Sequence, residues 1–191
     1  MATQERLPNS LVSNVGWTGA YTDIDDPVGA PDDDTTKITH VMGSPLATMK
    51  VGYTPFSVPA GSLINYVRIV KRIWNEQSGI NHSAVDSWIT TKDGYVSLQS
   101  DHSDNTWGTV NHTATVNPHT GVAWTADEIN GTGTTALDDE FWISDSGTSG
   151  YEARCTQAYI MVDFDCPEYA AGIVGPGSFK AAAGYSIKIG G

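Results

Sequence analysis

The stretch 63–74 is the strongest constraint on how this chain folds: with Ile64, Val67, Ile69, Val70 and Ile73 it is the longest apolar, β-branched run in the sequence. β-Branched side chains are stiff and pack well on a pleated surface, so the run reads as the central strand of a sheet. The rest of the chain supplies partners for it. Residues 35–40 alternate polar and apolar, and 48–58 carries Met49, Val51, Tyr53, Phe56 and Val58, with Pro55 marking a bulge or an edge position. Val85, Trp88 and Ile89 in 84–90 lead through Lys92-Asp93-Gly94 into 95–98, and Asp-Gly between two alternating runs is a strong hairpin signal. Residues 107–117 alternate, 117–121 has the composition of a turn, and 139–144 and 151–165 complete a set of eight or nine strands. Turns at such short intervals predict a β-sandwich or barrel.

One helical turn interrupts the pattern at 124–131. Thr125 stands as N-cap, Glu128 follows three residues later and Gly131 stops the turn, with Trp124 and Ile129 placed for a hydrophobic staple. Composition agrees with an all-β chain: charged residues are 17%, glycines number 20, and Trp and Tyr dominate the aromatics. The net charge of −12 argues against nucleic acid as a direct partner, since phosphate binding needs a clustered positive surface. The only basic cluster, Arg68, Lys71 and Arg72, lies inside the central strand. The N-terminus lacks the basic-then-apolar pattern of a secretory signal, and no apolar run approaches the ~18 residues that cross a bilayer. A protein held in the cytosol until it joins something else is therefore expected. Cys155 and Cys166, separated along one extended strand by roughly 36 Å, are too far apart for a disulfide and read as free thiols.

After Cys166 the character changes. Residues 167–191 hold six glycines and only three charges, Glu168, Lys180 and Lys188. Ile173, Val174, Phe179, Tyr185, Ile187 and Ile189 are strung along the segment without a helical period. Such a segment is too apolar for a solvated tail and too glycine-rich to build a core of its own. The expected organisation is a β domain over 1–166 followed by an extended arm over 167–191, the six apolar residues making subunit contacts.

The opening Leu7-Pro8, Gly16-Trp17-Thr18, Tyr21 and Asp25-Asp26, with the step Asp32-Asp33-Asp34 into Thr36 and Ile38, resembles the start of β-sandwich modules in structural proteins of tailed bacteriophages. Trp124-Thr125-Ala126-Asp127-Glu128-Ile129-Asn130 is similar to their second hallmark, a short turn between strands in the latter half of the sandwich. The resemblance covers roughly 5–165. It implies an antiparallel jelly-roll-like sandwich in a virion, assembled in the host cytoplasm, with no catalytic residues. The function expected is a non-enzymatic capsid decoration or cement protein, homo-oligomeric and suited to a trimer, docking on neighbouring subunits through its arm. A tail or fibre component is the alternative within that class.

Other chemistry has candidates too. Asp23, Asp25, Asp26, Asp32, Asp33 and Asp34 could supply oxygen ligands to Ca²⁺, although their spacing is not that of an EF-hand, and solvated turn caps account for them at less expense. The five histidines, His40, His82, His102, His112 and His119, match no zinc spacing, though His82 and His102 could meet across the hairpin. The six tryptophans raise a second class of function, a carbohydrate-binding module stacking pyranose rings on aromatic faces, with Trp107 as the expected exposed contact.

Overall fold

The computed structural model describes residues 1–41, 43, 47–78, 80–101 and 103–167. The strands are β1 (Ala2–Arg6), β2 (Ser10–Val15), β3 (Ile38–Val41), β4 (Thr48–Gly52), β5 (Leu63–Asn75), the two-residue β6 (Gln77–Ser78), β7 (Asn81–Thr91), β8 (Gly94–Asp101), β9 (Gly108–Ala114), β10 (Leu137–Gly147) and β11 (Glu152–Asp165). A 3₁₀ turn (Tyr21–Asp23) and one α-helical turn, α1 (Ala126–Ile129), complete the described elements.

All pairings are antiparallel and build two sheets. In the first, β11 lies between β5 and an edge shared end to end by β3 and β1, and β9 flanks β5 on the other side. The second runs β2-β4-β10-β7-β8, with β6 on one end of β7. Taken in chain order, β3, β4, β5, β7, β8, β9, β10 and β11 divide as 3-11-5-9 against 4-10-7-8. That is the strand order of a jelly roll, two interlocked Greek keys closed over one core. The run at 63–74 is indeed interior: β5 pairs β11 along almost its whole length and β9 on the opposite side.

Alternation fixes the core. Val67, Ile69 and Ile73 of β5 and Ile160, Val162 and Phe164 of β11 face Met49, Val51, Ile89, Phe141 and Ile143 from the second sheet, all almost fully buried. Each such side chain contributes about 1.5–3 kcal/mol by leaving water. The Lys92–Asp93 turn joins β7 to β8 with Thr91 opposite Gly94, whose φ of +137° suits glycine. Cys155 is buried in β11 and Cys166 lies just past its end, so both thiols are free.

The helical turn forms as its sequence predicts. Thr125 Oγ1 accepts the Glu128 N–H, and Glu128 Oε2 accepts the Thr125 N–H. The second Glu128 oxygen receives Asn117 Nδ2 at 2.9 Å and the Thr135 hydroxyl at 3.1 Å, tying the turn to its neighbouring loops. Burial works to raise the Glu128 carboxyl, but the donors from Thr125, Thr135 and Asn117 outweigh it and hold the group below its ordinary range. Trp124 and Ile129 are both buried, as a staple requires. Thr125→Ala is expected to cost about 1 kcal/mol in urea denaturation; an unchanged midpoint would show that the cap is redundant.

The basic cluster dissolves once the faces are known. Arg68 and Arg72 point outward, Arg68 over the Tyr66 ring and Arg72 onto Asp33 at 2.5 Å, whereas Lys71 points into the core and is fully buried.

Candidate functional site

The outer face of the second sheet carries an aromatic cluster that three strands build together. On β10, Phe141 and Ile143 face the core, so Trp142 faces out; on β7 the same alternation buries Ile89 and turns Trp88 outward. Pairing sets Trp142 directly opposite Trp88 on one side and Lys50 of β4 on the other. Tyr95, opposite Thr90, leans in from β8. Its ring stacks on Trp142 with centroids 4.9 Å apart and planes 24° from parallel, and it meets Trp88 edge-on at 5.4 Å. Tyr95 is 54% exposed, so one aromatic face is open to solvent above a half-buried indole.

Polar groups ring this stack. Lys50 Nζ lies 5.1 Å from the centre of the Trp142 ring and forms an ion pair with Glu140. Burial raises the Glu140 carboxyl and Asp138 adds to the shift, with Lys50 pulling the other way. Trp88 Nε1 donates to Ser144 Oγ at 2.9 Å. Two polar atoms beside the stack are buried without a partner, Trp142 Nε1 and the Thr90 hydroxyl. The combination of exposed ring and charged pair suits a molecule with one apolar side and a hydroxylated rim. A separate depression of about 210 Å³ lies near the start of β10, lined by Phe56, Ile129 and Leu137 with Lys92, Asp138 and Asp139.

The six loop aspartates do not converge on one point. Asp23 accepts the Ala20 N–H, Asp33 binds Arg72, and Asp34 binds Lys37 and Arg154. Asp26 and Asp32 both accept from the Thr156 hydroxyl, and Asp32 also accepts from Thr36. The Thr36 N–H holds Asp32 below its ordinary range, Lys37 does the same for Asp34, and burial raises Asp25. Asp23, Asp33 and Asp34 are taken up as a cap and ion pairs, and among the described residues no group of three or more His, Cys, Asp or Glu is arranged to hold a metal.

Trp107 is half-buried and stands just before β9 of the other sheet, not in the aromatic cluster. His40 binds the buried Asp145 at 2.8 Å, His112 binds Asp101, and His119 lies 3.9 Å from Asp93. His102, the side chain of His82, and the arm residues Ile173, Val174, Phe179, Tyr185, Ile187 and Ile189 lie outside the described residues. Sequence reasoning missed Tyr95, Trp88 and Trp142 as a unit. The available signal was phase: both tryptophans sit between core residues, at positions that must face outward.

No family model matches the chain, and no curated protein matches it. Solved structures of similar architecture do exist. The CBM22-1 and GH10 modules of the N-terminal endo-1,4-β-D-xylanase 10B of Clostridium thermocellum, complexed with xylohexaose, align over 93% of this chain at 7% identity and a TM-score of 0.45, and this chain spans 30% of that one. The C-terminal CBM6 of the marine laminarinase LamC of Zobellia galactanivorans aligns over 85% of this chain and all of its own, at 11% identity and a TM-score of 0.42. A carbohydrate-binding module of family 29 aligns over 84% of this chain and 90% of its own, at 8% identity and a TM-score of 0.47.

Proposed function

We propose that this chain is a non-catalytic recognition module that binds a carbohydrate on the outer face of its second sheet. The observation that carries the reading is the exposed Tyr95 ring stacked on Trp142, beside the Lys50–Glu140 ion pair. The electron-rich ring face attracts the C–H side of a pyranose. Lys50 and Glu140, both partly exposed, then supply a donor and an acceptor for the sugar's hydroxyls. A glycan array probed with the full chain, followed by calorimetry on its best ligand, tests the reading. Tyr95→Ala is expected to weaken binding tenfold or more, about 1.4 kcal/mol, while Tyr95→Phe keeps most of it. An array without a ligand, or a Tyr95→Ala protein that binds as wild type does, overturns the assignment.

A second reading is favoured by the capped turn at α1. The segment that resembles the phage hallmark does form a short helical turn, between β9 and β10 in the latter half of the sandwich. On this reading the module is a virion protein, a capsid decoration or a tail component, oligomeric and docked on neighbouring subunits through 167–191. Copy number per particle separates the two locations: hundreds indicate the head, a handful the tail or fibre. Neither location conflicts with glycan binding.

A further inference from the structure

β2 is an edge strand of an unusual kind. It pairs only with β4, and its other side is open among the described residues. Five of its six residues are exposed, including Leu11 at 47%, Val12 at 51% and Val15 at 49%. No other strand among the described residues shows more than one large apolar side chain so exposed, and β2 has no charged residue to deter pairing. Open edges are normally protected by Lys, Pro or a covering segment, because their free N–H and C=O groups accept any further strand. The bulge at Val12 is the only such device here.

The same chain carries a matching donor. Tyr185-Ser186-Ile187-Lys188-Ile189 alternates apolar and polar residues with period two, and it lies in a segment with two lysines and one glutamate in a chain of net charge −12. The chain leaves the domain at Pro167, next to Gly61 and the first sheet, where Asp165 also holds the N-terminal ammonium at 2.9 Å. From there, residues 168–184 can span roughly 56 Å when extended, more than the roughly 40 Å across a domain of this size. That reach is long enough to bring 185–189 to another copy.

We infer that residues 185–189 of one copy add as a strand to the β2 edge of a neighbouring copy. Main-chain hydrogen bonds join the two strands, and Tyr185, Ile187 and Ile189, which share one face, cover Leu11 on the core side of β2 or Val15 on its outer side according to register. Each copy has one donor and one acceptor, so a reciprocal exchange closes a two-fold dimer and a one-way exchange closes a ring when the geometry allows. This rests on the docking-arm reading and adds the surface on which the arm lands.

Analytical ultracentrifugation of the full chain tests both. An oligomer that dissociates at least tenfold more readily with Val12→Lys/Val15→Lys and with Ile187→Lys/Ile189→Lys supports the inference. Dissociation by the arm variant alone overturns the β2 acceptor and leaves the docking arm standing. A wild-type monomer, or an oligomer that neither variant weakens, overturns both. Mixing Val12→Cys with Ile187→Cys copies, each in a Cys166→Ser background, must also give a disulfide-linked heterodimer; its absence sinks the strand pairing directly.

Discussion

Replacing Asp101 with alanine is expected to cost the domain about 3–5 kcal/mol, although the residue is a single carboxylate near the end of β8. The reason is Lys71, a fully buried side chain whose ammonium donates to the Val85 carbonyl and lies 3.3 Å from Asp101 Oδ2. Burial lowers the pKa of Lys71, and Asp101 is the main group opposing that. Without Asp101 the core holds either an uncompensated cation or an amine forced to give up its proton, and His112 also loses its partner. Lys71→Met conserves volume and removes the charge, so it is expected to be nearly neutral or stabilising, because Asp101 keeps His112 and partial contact with water. The double variant Lys71→Met/Asp101→Ala should therefore be much more stable than Asp101→Ala alone. Urea denaturation of the four proteins measures this coupling. If the two substitutions prove additive, the ion pair is not what Asp101 contributes.

How much of this was readable beforehand depends on whether a feature is local. The eight anticipated runs correspond to β3, β4, β5, β7, β8, β9, β10 and β11, because each has an apolar face that must be buried. β1 and β2 escaped notice for opposite reasons. Ala2–Arg6 is mostly polar and is ordered by pairing with β11, while Ser10–Val15 has apolar residues that stay exposed and so never show core alternation. Local capping chemistry made α1 readable to the residue. The aromatic face was hidden, because Trp88 and Trp142 meet only through the pairing of β7 with β10, and pairing is not encoded in either strand alone. Lys71 was misassigned with Arg68 and Arg72 as one basic cluster; strand alternation separates it from both, and only the packed structure reveals Asp101 waiting for it. The six loop aspartates, in turn, do not share one partner: Arg72 takes Asp33, Arg154 takes Asp34 and Thr156 takes both Asp26 and Asp32, each arriving from a distant strand.

At alkaline pH a second large effect is expected, from a thiol rather than a carboxylate. Burial pushes Cys155 up to about 12 from the ordinary 9.0, with nearby Lys71 opposing the shift. Between those two values the unfolded chain has released its thiol proton while the folded chain still holds it. The folded state then binds more protons, and stability falls as pH rises, by about 1.4 kcal/mol per pH unit for this group. Tyr53, whose phenol burial raises well above its usual range, acts in the same direction once the unfolded tyrosine ionises near 10.0. Lys71 acts oppositely: its lowered pKa means the unfolded chain keeps a proton the folded chain has lost, so its contribution grows with pH up to 10.5 and then stops. Cys155→Val removes one of these destabilising contributions, to which the raised phenol of Tyr159 also belongs, and should retain about 4 kcal/mol more of its neutral-pH stability at pH 12 than wild type does. Lys71→Met should steepen the decline below pH 10.5. Parallel stability curves for wild type and Cys155→Val would mean that Cys155 ionises in the native core without penalty, and that water reaches its thiol.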